Sequence, residues 1–104
     1  MEVLEVQHTV LGPSIVVAAK GQVSCDLAGD AVILNLKTGV YYGLDAVGAL
    51  VWKLIQAPMT VADIRDGLLK EYDIDAGRCE GDLLALLQEL AAAELIEVHR
   101  EVNA

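Results

Sequence analysis

Residues 31–44, AVILNLKTGVYYGL, constrain this chain more than any other stretch. The first six are mostly aliphatic and β-branched, suited to a pleated, buried surface, and residues 40–44 carry a Tyr-Tyr pair. Lys37, Thr38 and Gly39 between them fit a three-residue hairpin loop, a type I turn closed by a glycine in the left-handed region. In that register Val32, Leu34 and Leu36 share one face with Val40, Tyr42 and Leu44, while Ile33, Asn35, Tyr41 and Gly43 share the other. The first face is wholly apolar and is expected to be the floor of a core. Asp45 and a helical pattern follow at once, so this is where a sheet meets helices.

At 104 residues the chain has the size of one domain with one core. Hydrophobic residues make up 55% but aromatic ones only 4%, with no Phe. The core is therefore expected to be aliphatic, with Trp52 and Tyr42 as its largest pieces. A formal net charge of −9 argues against nucleic acid, because phosphate binding is driven by Lys and Arg. Cys25 and Cys79 stand far apart in no metal-ligand spacing and read as buried, reduced thiols. No apolar run is long enough to span a membrane, and the acidic, interrupted N-terminus lacks signal-peptide character. The expected location is cytoplasmic, with no membrane partner.

Residues 1–13 read as a lead-in ending in a Gly12-Pro13 turn signal, residues 14–98 as the domain, and residues 99–104 as a tail that frays at its end. Residues 14–19 form a short strand candidate. Residues 22–27 alternate, with Val23, Cys25 and Leu27 one way and Gln22, Ser24 and Asp26 the other, the pattern of a half-buried strand. Ala28-Gly29-Asp30 turns that strand into the hairpin, which predicts an antiparallel meander with a short strand before it. Asp45 is an N-cap candidate for a helix over 46–56, buried on most sides and carrying Trp52 in the core. Pro58 stops it. Thr60 caps a second helix, with Asp63 three residues on. Asp75 caps a third over 76–93, whose apolar residues Cys79, Leu83, Leu86, Leu87 and Leu90 form one stripe with Leu84 and Ala91 beside it. Residues 95–98, LIEV, read as a last strand.

Catalytic groupings are hard to find. His8 and His99 lie near opposite ends, no Gly-rich phosphate loop follows a strand, and no Ser or Cys sits in a nucleophile motif. The carboxylates of the second and third helices fall on the solvent side of amphipathic patterns. The expectation is a binding module with no catalytic residue, no metal and no cofactor. Strands, helix, helix-turn-helix and a last strand are also the order of a winged helix-turn-helix domain, which often binds DNA through its third helix. Here residues 76–94 carry one base, Arg78, against Glu80, Asp82, Glu89 and Glu94, and a helix of that balance is repelled by phosphates. Fold analogy alone does not make a nucleic-acid-binding regulator.

The ordered set AVILNLKTGVYYGLDAVGALVWKLI, PMTVADIRDGLLKEYDID, DLLALLQEL and LIEV closely resembles the PqqD-like family, the recognition elements for leader segments of ribosomally made peptide natural products (RiPPs). The resemblance covers residues 14–98. Asp45 stands where relatives often have Asn, which keeps the cap. Glu94 stands where they often have Gly, which is expected to lengthen or fray the third helix. The resemblance implies an α+β, winged helix-turn-helix-like fold, a three-stranded antiparallel sheet packed on three helices. It also implies a peptide chaperone that binds a precursor peptide and hands it to modifying enzymes. A free-standing chain looks like the separate recognition protein of lasso-peptide biosynthesis, whose partners are a leader peptidase and a macrolactam cyclase. A PqqD-type chaperone for a radical-SAM enzyme is the main competitor.

In a meander the last strand has a neighbour on one side only, and its open edge is a place for strand addition. The third helix is also too apolar for one buried stripe. The expected leader site is thus a groove between strand 40–44 and the third helix, which is also where the family binds its leaders. Main-chain bonds would come from Val40, Tyr41, Tyr42, Gly43 and Leu44, and side-chain pockets from Tyr41 or Tyr42 with Leu84, Leu87 and Ala91.

Overall fold

The computed structural model describes residues 14–100; the expectations for the lead-in, the Gly12-Pro13 turn, His8 and the end of the tail lie outside the described residues. The elements in order are β1 (Ser14–Ala18), β2 (Gln22–Leu27), β3 (Asp30–Asn35), β4 (Tyr41–Leu44), α1 (Ala46–Leu54), β5 (Met59–Thr60), α2 (Val61–Glu71), α3 (Ala76–Ala92) and β6 (Ile96–Arg100).

The strands form two three-stranded antiparallel sheets, where the sequence suggested one meander with an extra strand in front. One is the meander β2-β3-β4; the other has the order β5-β1-β6. Positive φ at Gly21 lets the chain turn sharply after β1. β1 is instead held among the helix ends, with the Ala18 N–H donating to Ile55 O (2.8 Å) and Ala19 N–H to Leu95 O (2.9 Å). β6 begins at Ile96 and pairs with β1 as far as Ser14 opposite Arg100, so it reaches past Val98.

The helix starts follow local chemistry. The Asp45, Thr60 and Asp75 side chains accept from the N–H groups of Gly48, Asp63 and Arg78, each filling an orphan donor of the first turn. α3 ends on a Schellman motif: the Leu95 N–H donates to Leu90 O and the Glu94 N–H to Ala91 O, with Glu94 itself at φ +61. The expected lengthening of this helix does not occur. Glu94 adopts the left-handed conformation a glycine would take freely.

The core is aliphatic apart from Trp52: Val16, Ile33, Leu44, Val51, Ile55, Ile64, Leu68, Leu83, Leu87, Leu90 and Leu95 are all buried with it. The hairpin register differs from the expected one by one residue. Ile33 pairs with Tyr42 and Leu34 with Tyr41, and the loop holds four residues, 36–39, closed by the Asn35 N–H donating to Val40 O and the Gly39 N–H to Asn35 O. A one-residue slip turns a strand over. Ala31, Ile33 and Asn35 therefore face the core with Tyr42 and Leu44, whereas Val32 and Leu34 face outward and Leu36 and Val40 are exposed. Asn35 is the cause. Buried at 6% exposure, its Oδ1 accepts from the Lys37 and Thr38 N–H groups (2.9 and 3.3 Å) and its Nδ2 donates to Ala93 O at 3.3 Å. The side chain takes over part of the turn and ties it to the end of α3.

The strand expected to be half-buried, β2, is exposed along nearly its whole length. Helix α1 packs against β3 and β4 and not against β2, so Val23 and Leu27 stay in solvent, and Cys25 is an exposed free thiol rather than a buried one. Cys79 is buried, as expected.

Candidate peptide-binding groove

Among the described residues β4 is an edge strand. The closing bond from Asn35 to Val40 sets the alternation of the ladder: Tyr42 and Leu44, two and four residues on, turn their N–H and C=O toward β3. Those of Tyr41 and Gly43 point to the open edge. A Cβ added at Gly43 would meet nothing within 4 Å, so the sheet face at this residue is uncrowded.

Beside that edge lies a groove of about 420 Å³. Tyr42, Gly43 and Leu44 form one wall. Cys79, Asp82, Leu83, Leu86 and Glu89 of α3 form the other, and Val47, Gly48, Val51, Leu68 and Ile74 supply the apolar floor. Gly48 belongs there for a steric reason, since a Cβ would stand 3.1 Å from Leu44 Cβ. α3 is braced from behind by Arg65 of α2, whose guanidinium meets Glu80 at 3.0 Å.

One bond crosses the groove. The Tyr42 hydroxyl donates to Glu89 Oε1. Its pKa is pushed up to about 12, first by burial and then by the bond to Glu89 and that residue's negative charge; the hydroxyl is a neutral donor at any physiological pH. Burial also pushes the Cys79 thiol up, so this groove residue is a neutral thiol and not a nucleophile. Among the described residues no three of His, Cys, Asp and Glu are grouped to hold a metal ion, and no helix is long and apolar enough to cross a membrane.

The expected site is thus assembled in part. Tyr42, Gly43 and Leu44 line the groove, and the choice between the tyrosines falls on Tyr42; Tyr41 is 70% exposed on the other face of the sheet. Val40 lies just before β4 and is exposed. On α3 the face is displaced by about one position. Leu87 is fully buried in the core, Leu84 packs against the core without lining the groove, and Ala91 is buried beside a separate hollow with Asn35, Lys37 and Glu94. Leu83 and Leu86 take their place. The hydropathy pattern places both in the buried stripe and Asp82 and Glu89 in solvent. The available signal was the spacing of residues 79, 82, 86 and 89, which is one face of a helix.

Residues 30–96 match the family described as Coenzyme PQQ synthesis protein D (PqqD). The fold is similar to TbiB1, solved in complex with the TbiA(beta) leader peptide: 37% identity, 78% of this chain and 94% of that one covered, TM-score 0.73. The PqqD truncation of Methylobacterium extorquens PqqCD, described as a stand-alone RiPP recognition element, is 26% identical, with 86% and 97% covered and a TM-score of 0.73. A lasso peptide synthetase B1 complexed with its leader peptide shares the fold at 21% identity, with 79% and 96% covered and a TM-score of 0.69. No curated protein sequence matches. With most of its length matched and its architecture shared, the chain belongs to the PqqD family.

Proposed function

We propose that this protein is a non-catalytic adaptor that binds the leader segment of a ribosomally synthesised precursor peptide and delivers it to processing enzymes. The observation that carries this reading is the open edge of β4 standing over an apolar groove against α3. A peptide added antiparallel to β4 would bond to the free main-chain groups of Tyr41 and Gly43 and place alternate side chains over Leu44, Leu83 and Leu86. The relative at 37% identity was solved with a leader peptide, which supports a leader segment as the partner; we take the enzymes served to be the leader peptidase and macrolactam cyclase of a lasso-peptide pathway. The family's description favours the second reading, a chaperone for a radical-SAM enzyme of quinone-cofactor synthesis; both use the same groove. A nucleic-acid role has the acidic balance of α3 against it. We place the protein in the cytoplasm, where such precursors are made.

The test is calorimetric titration of the precursor peptide encoded beside this chain's gene. Gly43→Pro removes an edge donor without touching the β3–β4 ladder, and Leu86→Asp puts a charge on the apolar wall. Each is expected to weaken binding by about tenfold or more. Folded variants that bind as tightly as the parent would place the peptide elsewhere.

A further inference from the structure

The groove is apolar at its floor and acidic at its rim. Asp45, Asp82 and Glu89 line it, and among the described residues no Lys, Arg or His does. The three carboxylates are not equivalent. Asp45 is committed to capping α1 through the Gly48 N–H at 2.9 Å. Among the described residues Asp82 reaches only Arg78, at 3.8 Å with both side chains in solvent, a pair worth little. Glu89 receives the Tyr42 hydroxyl on one oxygen, and its other oxygen has no partner among the described residues. A carboxylate held in place on one oxygen and open on the other, at the edge of an apolar trough, is a preorganised acceptor for a charged donor.

Resting on the adaptor reading, we propose that the segment seated in this groove carries a lysine or arginine beside its apolar anchors, and that Glu89 is the residue that selects it. Tyr42 is the positioning residue, since its hydroxyl fixes the carboxylate over the groove. Side chains on one face of an extended peptide recur about every 6.6 Å. Glu89 lies about that far along α3 from the midpoint of Leu83 and Leu86. For a peptide running along α3, the cation therefore stands two positions from the apolar anchor over that pair. The alternative, that the rim only adds to the general acidity of a chain of net charge −9, makes a different forecast: any carboxylate would then matter equally.

The experiment is selection of a displayed library of random short peptides on the full-length protein, with groove binders identified by their loss on the Gly43→Pro variant. Their affinities are then compared on Glu89→Gln and on Glu71→Gln, which removes the same charge from the exposed end of α2, outside the groove. Enrichment of Lys or Arg two positions from an apolar anchor is expected. So is a loss of about tenfold on Glu89→Gln, absent on Glu71→Gln and absent when the basic residue of the peptide is replaced by Gln. Tyr42→Phe is expected to give a smaller loss confined to the same peptides. Groove binders without a basic preference, or with equal losses on both Gln variants, would overturn the selection by Glu89 and leave the adaptor reading standing. Recovery of no peptide sensitive to Gly43→Pro would overturn both.

Discussion

The Tyr42 hydroxyl donates a hydrogen bond to the Glu89 carboxylate across the groove between β4 and α3. The bond joins the edge strand to the helix opposite it and, after burial, is the second cause that pushes the phenol up to about 12. A group whose folded pKa lies above its unfolded value near 10 holds its proton more tightly when folded. Its contribution to stability is full below about pH 10 and is lost as pH rises toward 12. Tyr42→Phe is therefore expected to lose less stability than the parent across that interval in alkaline denaturant titrations. Tyrosinate absorbance of Glu89→Gln should show Tyr42 ionising at lower pH, yet still above the ordinary value, because burial, the largest cause, remains.

The register of the hairpin can be read from two alanines. Ile33 is fully buried and Leu34, its neighbour, faces outward and is only partly covered. Ile33→Ala should cost about 2–5 kcal/mol and Leu34→Ala no more than about half as much. Denaturant midpoints in the reverse order would restore the three-residue loop.

Asn35 serves both the turn and the end of α3 through three hydrogen bonds. Asn35→Ala leaves the Lys37 and Thr38 N–H groups without this acceptor and should destabilise by about 2 kcal/mol. Thermal unfolding checks it; an unchanged melting temperature would show that the side chain is dispensable.

Glu94 sits at φ +61, and among the described residues its side chain meets only Lys37, in a long, exposed ion pair. Glu94→Gly should raise stability by about 0.5–1 kcal/mol, because the left-handed strain is larger than the entropy lost to glycine and the pair is worth little. Glu94→Ala should give no such gain, which separates backbone relief from loss of the charge.

These residues also mark what could be read without coordinates. The caps Asp45, Thr60 and Asp75 were legible because each acts on a backbone group three residues away. Trp52 was legible as core because its helix is apolar on most sides. The face of β3 was not: hydropathy prefers Leu36 inside and Asn35 outside, and only the turn's need for an acceptor and the tie to Ala93 reverse that. The groove face of α3 was missed for a related reason. A helix with Leu at 83, 84, 86, 87 and 90 has no single apolar stripe, and which leucines face β4 is set by how α2 and the sheet hold it. The open edge followed from strand order alone, and so it was legible.

Amide hydrogen exchange of β4 with and without the precursor peptide tests strand addition most directly. Tyr42 and Leu44 face β3 and should be protected in the free protein, while the Tyr41 and Gly43 amides point to the open edge and should exchange readily. Saturation with peptide is expected to protect Tyr41 and Gly43 and leave the alternation elsewhere in the sheet unchanged. A saturating peptide that leaves both amides exchanging at their free rates would show that no strand is added at β4.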